Sequence, residues 1–104
     1  MQTINNIKEY AEVTENGKNI ILFSADWCGD CIFIKPFLPS IEKSFPEWNF
    51  YYVNRDDLID LCKDLDIYGI PSFLAYKEGV VIGRFVSKDR KTSTQKEDFI
   101  RNLG

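Results

Sequence analysis

The nucleophiles that this chain offers are its three cysteines. Two of them, Cys28 and Cys31, stand three positions apart in Trp27-Cys28-Gly29-Asp30-Cys31. There is no histidine, so His-based catalysis and His metal ligation are both absent. Two thiols at this spacing fall one helical turn apart, close enough to form a disulfide. An apolar run, Ile20-Ile21-Leu22-Phe23, precedes them and a helix-like run from Ile32 to Phe45 follows. A strand that hands a cysteine to a helix start favours its thiolate, because unpaired N–H groups and partial positive charge gather there. Cys28 is therefore expected to be an exposed, attacking thiol and Cys31 a resolving thiol. Asp30 opposes the thiolate by its charge, and the expected result is a reducing pair.

Zinc is a poor alternative, since it wants four ligands and one subunit supplies three cysteines. Cys62 shares the apolar face of its own helix and reads as a core residue. An odd cysteine count suits a reducing compartment with a redox pair, and a cytoplasmic location is expected.

The elements that must hold the pair follow from hydrophobic period. A first helix starts at Asn6, with Glu9 reaching back as in a capping box, and ends at Asn16-Gly17. Ile7, Tyr10, Ala11 and Thr14 form its inner face. Lys18 to Ala25 is a nearly continuous apolar strand, as in the middle of a sheet covered on both sides. Cys28 to Phe45 reads as a helix bent at Pro36, with Pro39 further interrupting it and Phe33, Phe37, Ile41 and Phe45 on its apolar side. Trp48 to Asn54 is a second central strand. Asp56 or Asp57 caps a helix to about Leu65, with Leu58, Leu61, Cys62 and Leu65 inward. Pro71 to Tyr76 and Val80 to Val86, joined by Lys77-Glu78-Gly79, form a hairpin. Thr94-Gln95-Lys96-Glu97 opens a last helix with Phe99, Ile100 and Leu103 inward. This alternation predicts an α/β fold, helices on both faces of a mixed sheet.

The bulk numbers agree. The 104 residues, at 44% hydrophobic, suit one domain over 1–104 with a real core. A net charge of -3 argues against nucleic acid or an anionic membrane as partner. No stretch approaches the about 20 apolar residues of a membrane span. Met1 to Asn6 has neither a basic nor a long apolar run, so no secretion signal is read there. Lys88-Asp89-Arg90-Lys91 is a mixed-charge loop.

The chain resembles the thioredoxin family along nearly its whole length. The matching pieces are Ala25 to Cys31, Pro36, Tyr68-Gly69-Ile70-Pro71-Ser72 and Lys77-Glu78-Gly79. The resemblance implies a three-layer α/β/α fold around a mixed sheet of four to five strands, with any first strand confined to Met1–Ile4. It implies a cis peptide at Ile70-Pro71 packed against the cysteines. An extended client segment would pair with the Ile70 backbone, helped by Trp27, Gly29, Asp30 and Gly69. The activity implied is reduction of protein disulfides through a Cys28/Cys31 cycle with no cofactor. The partners implied are disulfide-containing clients and a recycling reductant, either a thioredoxin reductase or a low-molecular-weight thiol; the protein would be a monomer. The chain departs from the family in four places. Asp30 replaces the proline between the cysteines, Leu22 a buried aspartate, Tyr52 a lysine and Ser87 a groove glycine. Leu22 leaves Cys31 to lose its proton to water, Asp26 or the departing thiolate. These departures favour a client-dedicated exchange protein as the alternative, and a redox-sensing binding module as the alternative without turnover.

Overall fold

The computed structural model describes residues 1–86 and 98–103. Its sheet has five strands in the order β1-β3-β2-β4-β5: β1 Gln2–Ile4, β2 Lys18–Ser24, β3 Asn49–Asn54, β4 Ser72–Lys77 and β5 Val80–Phe85. β1 and β2 lie parallel to β3 on either side of it, while β4 runs antiparallel to β2 and pairs with β5 as a hairpin. The parallel trio and the terminal hairpin agree with the expected mixed sheet. The first strand exists and is three residues long.

β2 is buried along nearly its whole length because both faces are covered. Ile21 and Phe23 point to a core shared with Tyr10, Val53, Leu58, Cys62 and Leu74. Ile20 and Leu22 point to the other core, with Ile34, Ile41, Phe45, Phe73 and Ile100. The alternation of strand side chains thus serves both layers of helices. Cys62 is a core residue, as expected.

Helix α1 spans Ile7–Thr14, and the Glu9 N–H donates to the Asn6 side chain at 2.9 Å. A cap of this kind stabilises a helix by about 1 kcal/mol. The reciprocal contact differs from the expected box: the Asn6 side-chain amide donates to the Glu9 carboxylate at 3.2 Å. The inner face also differs. Tyr10 and Thr14 are buried and Val13 half-buried, but Ile7 and Ala11 face solvent.

The run expected to be one bent helix is cut in two. Helix α2 covers Gly29–Ile34, a 3-10 turn covers Lys35–Phe37, and helix α3 covers Leu38–Ser44. Pro36 has no N–H to give the α pattern, and the chain tightens there. The inward positions are Cys31, Ile34, Leu38, Ile41 and Phe45, spaced three and four apart. Phe33 and Phe37 flank that line and are exposed, their rings 6.0 Å apart, so they are not the core residues their spacing suggested.

Helix α4 spans Ile59–Asp64 with Leu58 at its N-cap and no side-chain cap. The expected Asp56 or Asp57 cap is therefore not formed. Both precede the cap position, and the Asp56 carboxylate is engaged elsewhere. The β4–β5 turn uses Glu78 and Gly79, both at positive φ (51° and 82°), as a two-residue hairpin of this twist requires. Residues 98–101 are helical, with Ile100 buried. The expected capping box at 94–97, the charged run at 88–91 and Ser87 lie outside the described residues.

Candidate active site

Cys28 sits at the N-cap of α2 with an extended backbone (φ -84°, ψ 117°), and its Sγ accepts the Cys31 N–H at 3.3 Å. This follows from the local sequence. β2 ends at Ser24, the Cys28 N–H turns back to the Ala25 carbonyl at 3.3 Å, and the Ile32 N–H closes the first helical turn on the Cys28 carbonyl at 3.0 Å. One orphan donor of the helix start is thereby spent on sulfur.

The Ile70–Pro71 peptide is cis, as the resemblance implied. It places the Ile70 carbonyl over the site, where the Cys28 thiol donates to it at 3.7 Å. Ile70 packs on Ala25, Cys28 and Cys31. This lid corrects one expectation. Cys28 is 8% exposed and Cys31 4%, so the first thiol is covered nearly as well as the second. The cover comes from a loop 42 residues away in sequence, which the local pattern around Cys28 does not reveal.

The other expected site residues surround this pair. Pro71 is buried and Gly69 half-buried, the Gly69 carbonyl accepting the Ser72 hydroxyl. Trp27 is 64% exposed at the mouth of the site. Asp30 is half-buried in the first turn of α2. Gly29 is exposed, and a Cβ there would meet nothing within 4 Å, so space does not require glycine. Among the described residues, no group of three or more His, Cys, Asp or Glu could hold a metal ion.

Burial pushes the Cys31 thiol up to about 11, and its hydrogen bond with Cys28 pushes the same way. The Ser24 hydroxyl and the Ala25 backbone pull against this. The Tyr52 phenol is also raised, chiefly by burial, with the Ser24 hydroxyl again pulling against this.

Three features escaped the sequence reading. Asp56 accepts the Trp27 indole N–H at 2.8 Å. The loops after parallel neighbours β2 and β3 emerge at one edge, and that placement is the signal that could have found the pair. Ser24 lies two residues beyond Leu22 on the same face of β2 and so under α2. Finally, a cavity of about 620 Å³ reaches Cys31, with Asp26, Lys35, Glu42 and Tyr52 among its walls.

Two thiols so placed, one gripped by a helix start and one buried a turn behind it, are the equipment of a thiol–disulfide oxidoreductase. The sequence profile of the Thioredoxin family matches residues 2–101. A thioredoxin of Alternaria alternata is 35% identical over all of this chain and 88% of its own length. The crystal structure of oxidised mitochondrial thioredoxin 3 from Saccharomyces cerevisiae superposes with a TM-score of 0.82 at 24% identity, covering 97% of this chain and 94% of that one. A second structure has a TM-score of 0.83 at 22% identity, covering 97% and 94%. It comes from work on thiol resolution in the yeast mitochondrial 1-Cys peroxiredoxin via glutathione/thioredoxin systems. The chain belongs to the thioredoxin family. It is a protein-disulfide reductase of thioredoxin type. Among the described residues, no helix is long and apolar enough to cross a membrane.

Proposed function

We propose that Cys28 attacks the disulfide of a client protein and that Cys31 resolves the resulting mixed disulfide. Cys28 Sγ bonds to one client sulfur, and the other leaves as a thiolate. Cys31 then attacks Cys28, the client leaves reduced, and the Cys28–Cys31 disulfide carries the two electrons' worth of oxidation. The observation that carries this assignment is the Cys31 N–H donated to Cys28 Sγ at 3.3 Å, which supports negative charge on that sulfur. Cys31, with its proton held to about 11, is the poorer first nucleophile.

A client approaches from the side of Trp27, Gly69 and Pro71, and it must displace the Ile70 carbonyl from Cys28. An extended segment that hydrogen-bonds to the Ile70 backbone does this by exchange, in the manner of an added strand. Gly29 and Asp30 line the same approach. A separate reductant, protein or low-molecular-weight thiol, returns the pair to its dithiol form, in a compartment reducing enough to keep it so. Peroxidases are one client class to test, given the peroxiredoxin work to which one structural neighbour belongs.

The test is trapping. Cys31→Ala is expected to accumulate a mixed disulfide at Cys28 when offered a disulfide-bonded protein, and Cys28→Ser to abolish turnover. A covalent adduct at Cys31 or Cys62, or turnover surviving Cys28→Ser, would overturn the assignment.

A further inference from the structure

A disulfide can be reopened at either of its sulfurs, and the two sulfurs of this pair are approached from different sides. The Cys28 side is the client site, roofed by Ile70. The Cys31 side is the cavity of about 620 Å³, whose walls include Cys31 but not Cys28, Ile70 or Pro71. The attacking and leaving sulfurs share one axis through the sulfur between them. A thiol that attacks Cys31 therefore needs an approach of its own, away from Cys28, and this cavity offers one. Its size suits a small molecule and excludes a folded client. Its charges are mixed. Asp26 and Lys35 both line it and both are exposed. Among the described residues, neither is in an ion pair. Glu42, by contrast, already faces the Met1 ammonium at 3.2 Å. Lys35 follows Cys31 by one helical turn and so lies on the same side of that segment.

We propose that this cavity admits a low-molecular-weight thiol derived from an amino acid, bearing both an ammonium and a carboxylate, and that this thiol reopens the oxidised pair by attacking Cys31. The idea rests on the Cys28/Cys31 cycle given above and names its reductant. The ligand ammonium faces Asp26 and its carboxylate faces Lys35, which brings its sulfur to Cys31. In the first step the ligand thiolate bonds to Cys31 Sγ, the Cys28–Cys31 bond breaks, and Cys28 keeps the electron pair. The choice of sulfur follows from the leaving groups. Cys28 departs as a thiolate that the Cys31 N–H already serves at 3.3 Å. Attack at Cys28 would instead expel the Cys31 thiolate, which burial disfavours. The better stabilised thiolate leaves faster. In the second step another molecule of the thiol attacks the ligand sulfur of the mixed disulfide, and Cys31 leaves with the electron pair. The ligand departs as its own symmetrical disulfide, oxidised by the two electrons that the protein has gained. The two protons that the ligand thiols give up to solvent are matched by those that Cys28 and Cys31 take from it.

Reduced glutathione is the probe, and 2-mercaptoethanol, which carries no ammonium or carboxylate, is the reference. The oxidised protein is mixed with each, and rates are compared per thiolate. Glutathione is expected to be the faster reductant. Lys35→Gln and Asp26→Asn should each lower its advantage about threefold, the worth of one exposed ion pair. Early samples are quenched with a maleimide and mapped by peptide mass. Glutathione should be found on Cys31 and maleimide on Cys28. The reverse labelling would overturn the cavity route. So would the lack of any advantage for glutathione, or an advantage unchanged in both variants. Client capture by Cys31→Ala keeps the two readings apart, since that variant meets its client at Cys28 whichever sulfur glutathione attacks. A client and glutathione both found on Cys28 would overturn the cavity route alone, whereas no client captured at Cys28 would overturn the cycle beneath it.

Discussion

The Trp27 indole donates its N–H to the Asp56 carboxylate at 2.8 Å across 29 residues of sequence. The bond joins the loop after β2 to the loop after β3 and sets the ring at the mouth of the thiol site. Asp56 also faces Arg55 at 3.6 Å, so its carboxylate is held from two sides. An exposed bond of this kind contributes about 0.5–1 kcal/mol. Asp56→Ala is therefore expected to lower kcat/KM on a protein disulfide about two- to fivefold. Trp27 emission, read in a Trp48→Phe background, should shift with it. Asp56→Asn keeps an acceptor and should have the smaller effect; equal losses in the two variants would show that the bond does not position the ring.

Alkaline stability should depend on redox state. Burial raises Cys31 to about 11 and raises Cys62 and Tyr10 as well. Each native group keeps a proton that the unfolded chain has already released, so unfolding is favoured as pH rises. The stability involved is complete below the ordinary thiol range and is lost from there up to about 11 for Cys31. Forming the Cys28–Cys31 disulfide removes the Cys31 thiol from this balance and leaves Cys62 and Tyr10 in it. Urea midpoints of the reduced form are thus expected to fall more steeply above about pH 8.5 than those of the oxidised form. Parallel losses in both forms would contradict this.

Leu22 is 1% exposed and lies opposite Tyr52 and Phe73 in the sheet. Leu22→Asp should put a proton acceptor in the layer beneath Cys31, and release of a client from its mixed disulfide should quicken. The same change removes apolar packing and buries a carboxyl group, at an expected loss of about 2–4 kcal/mol in denaturant unfolding. A variant that is destabilised yet no faster in single-turnover release would show that proton removal does not limit the step.

The hairpin turn gives a stability prediction away from the chemistry. Gly79 has φ +82°, and a Cβ there would come 3.3 Å from the Glu15 carbonyl oxygen. Gly79→Ala should cost about 1–2 kcal/mol, most of it from the left-handed backbone. Gly79→Asn, which tolerates that conformation better, should lose less in the same urea titration.

Much of the fold was legible because it is written in local patterns. The apolar run through β2, the Asn6 cap, the Glu78-Gly79 turn and the spacing from Cys28 to Pro71 all survive in the structure. Errors arose where residues distant in sequence meet. Phe33 and Phe37 sit at a helical spacing, but α2 and α3 pack by a different line of residues. Cys28 reads as open from its own neighbours, yet Ile70 closes over it. Asp56 has the right type for a helix cap, and Trp27 claims it instead.

The helix that Cys28 caps is only six residues long before the turn that contains Pro36. Few peptide groups are aligned behind the sulfur, so the field at that point comes mainly from the nearest amide, Cys31 N–H at 3.3 Å. That separation is well inside the about 8 Å over which dissolved ions act at physiological ionic strength. Mobile ions have little room to intervene, and the intrinsic vigour of the thiol should be nearly the same in dilute buffer as at physiological ionic strength. Any salt sensitivity of turnover would then report how the protein and its client find one another, not how their sulfurs react.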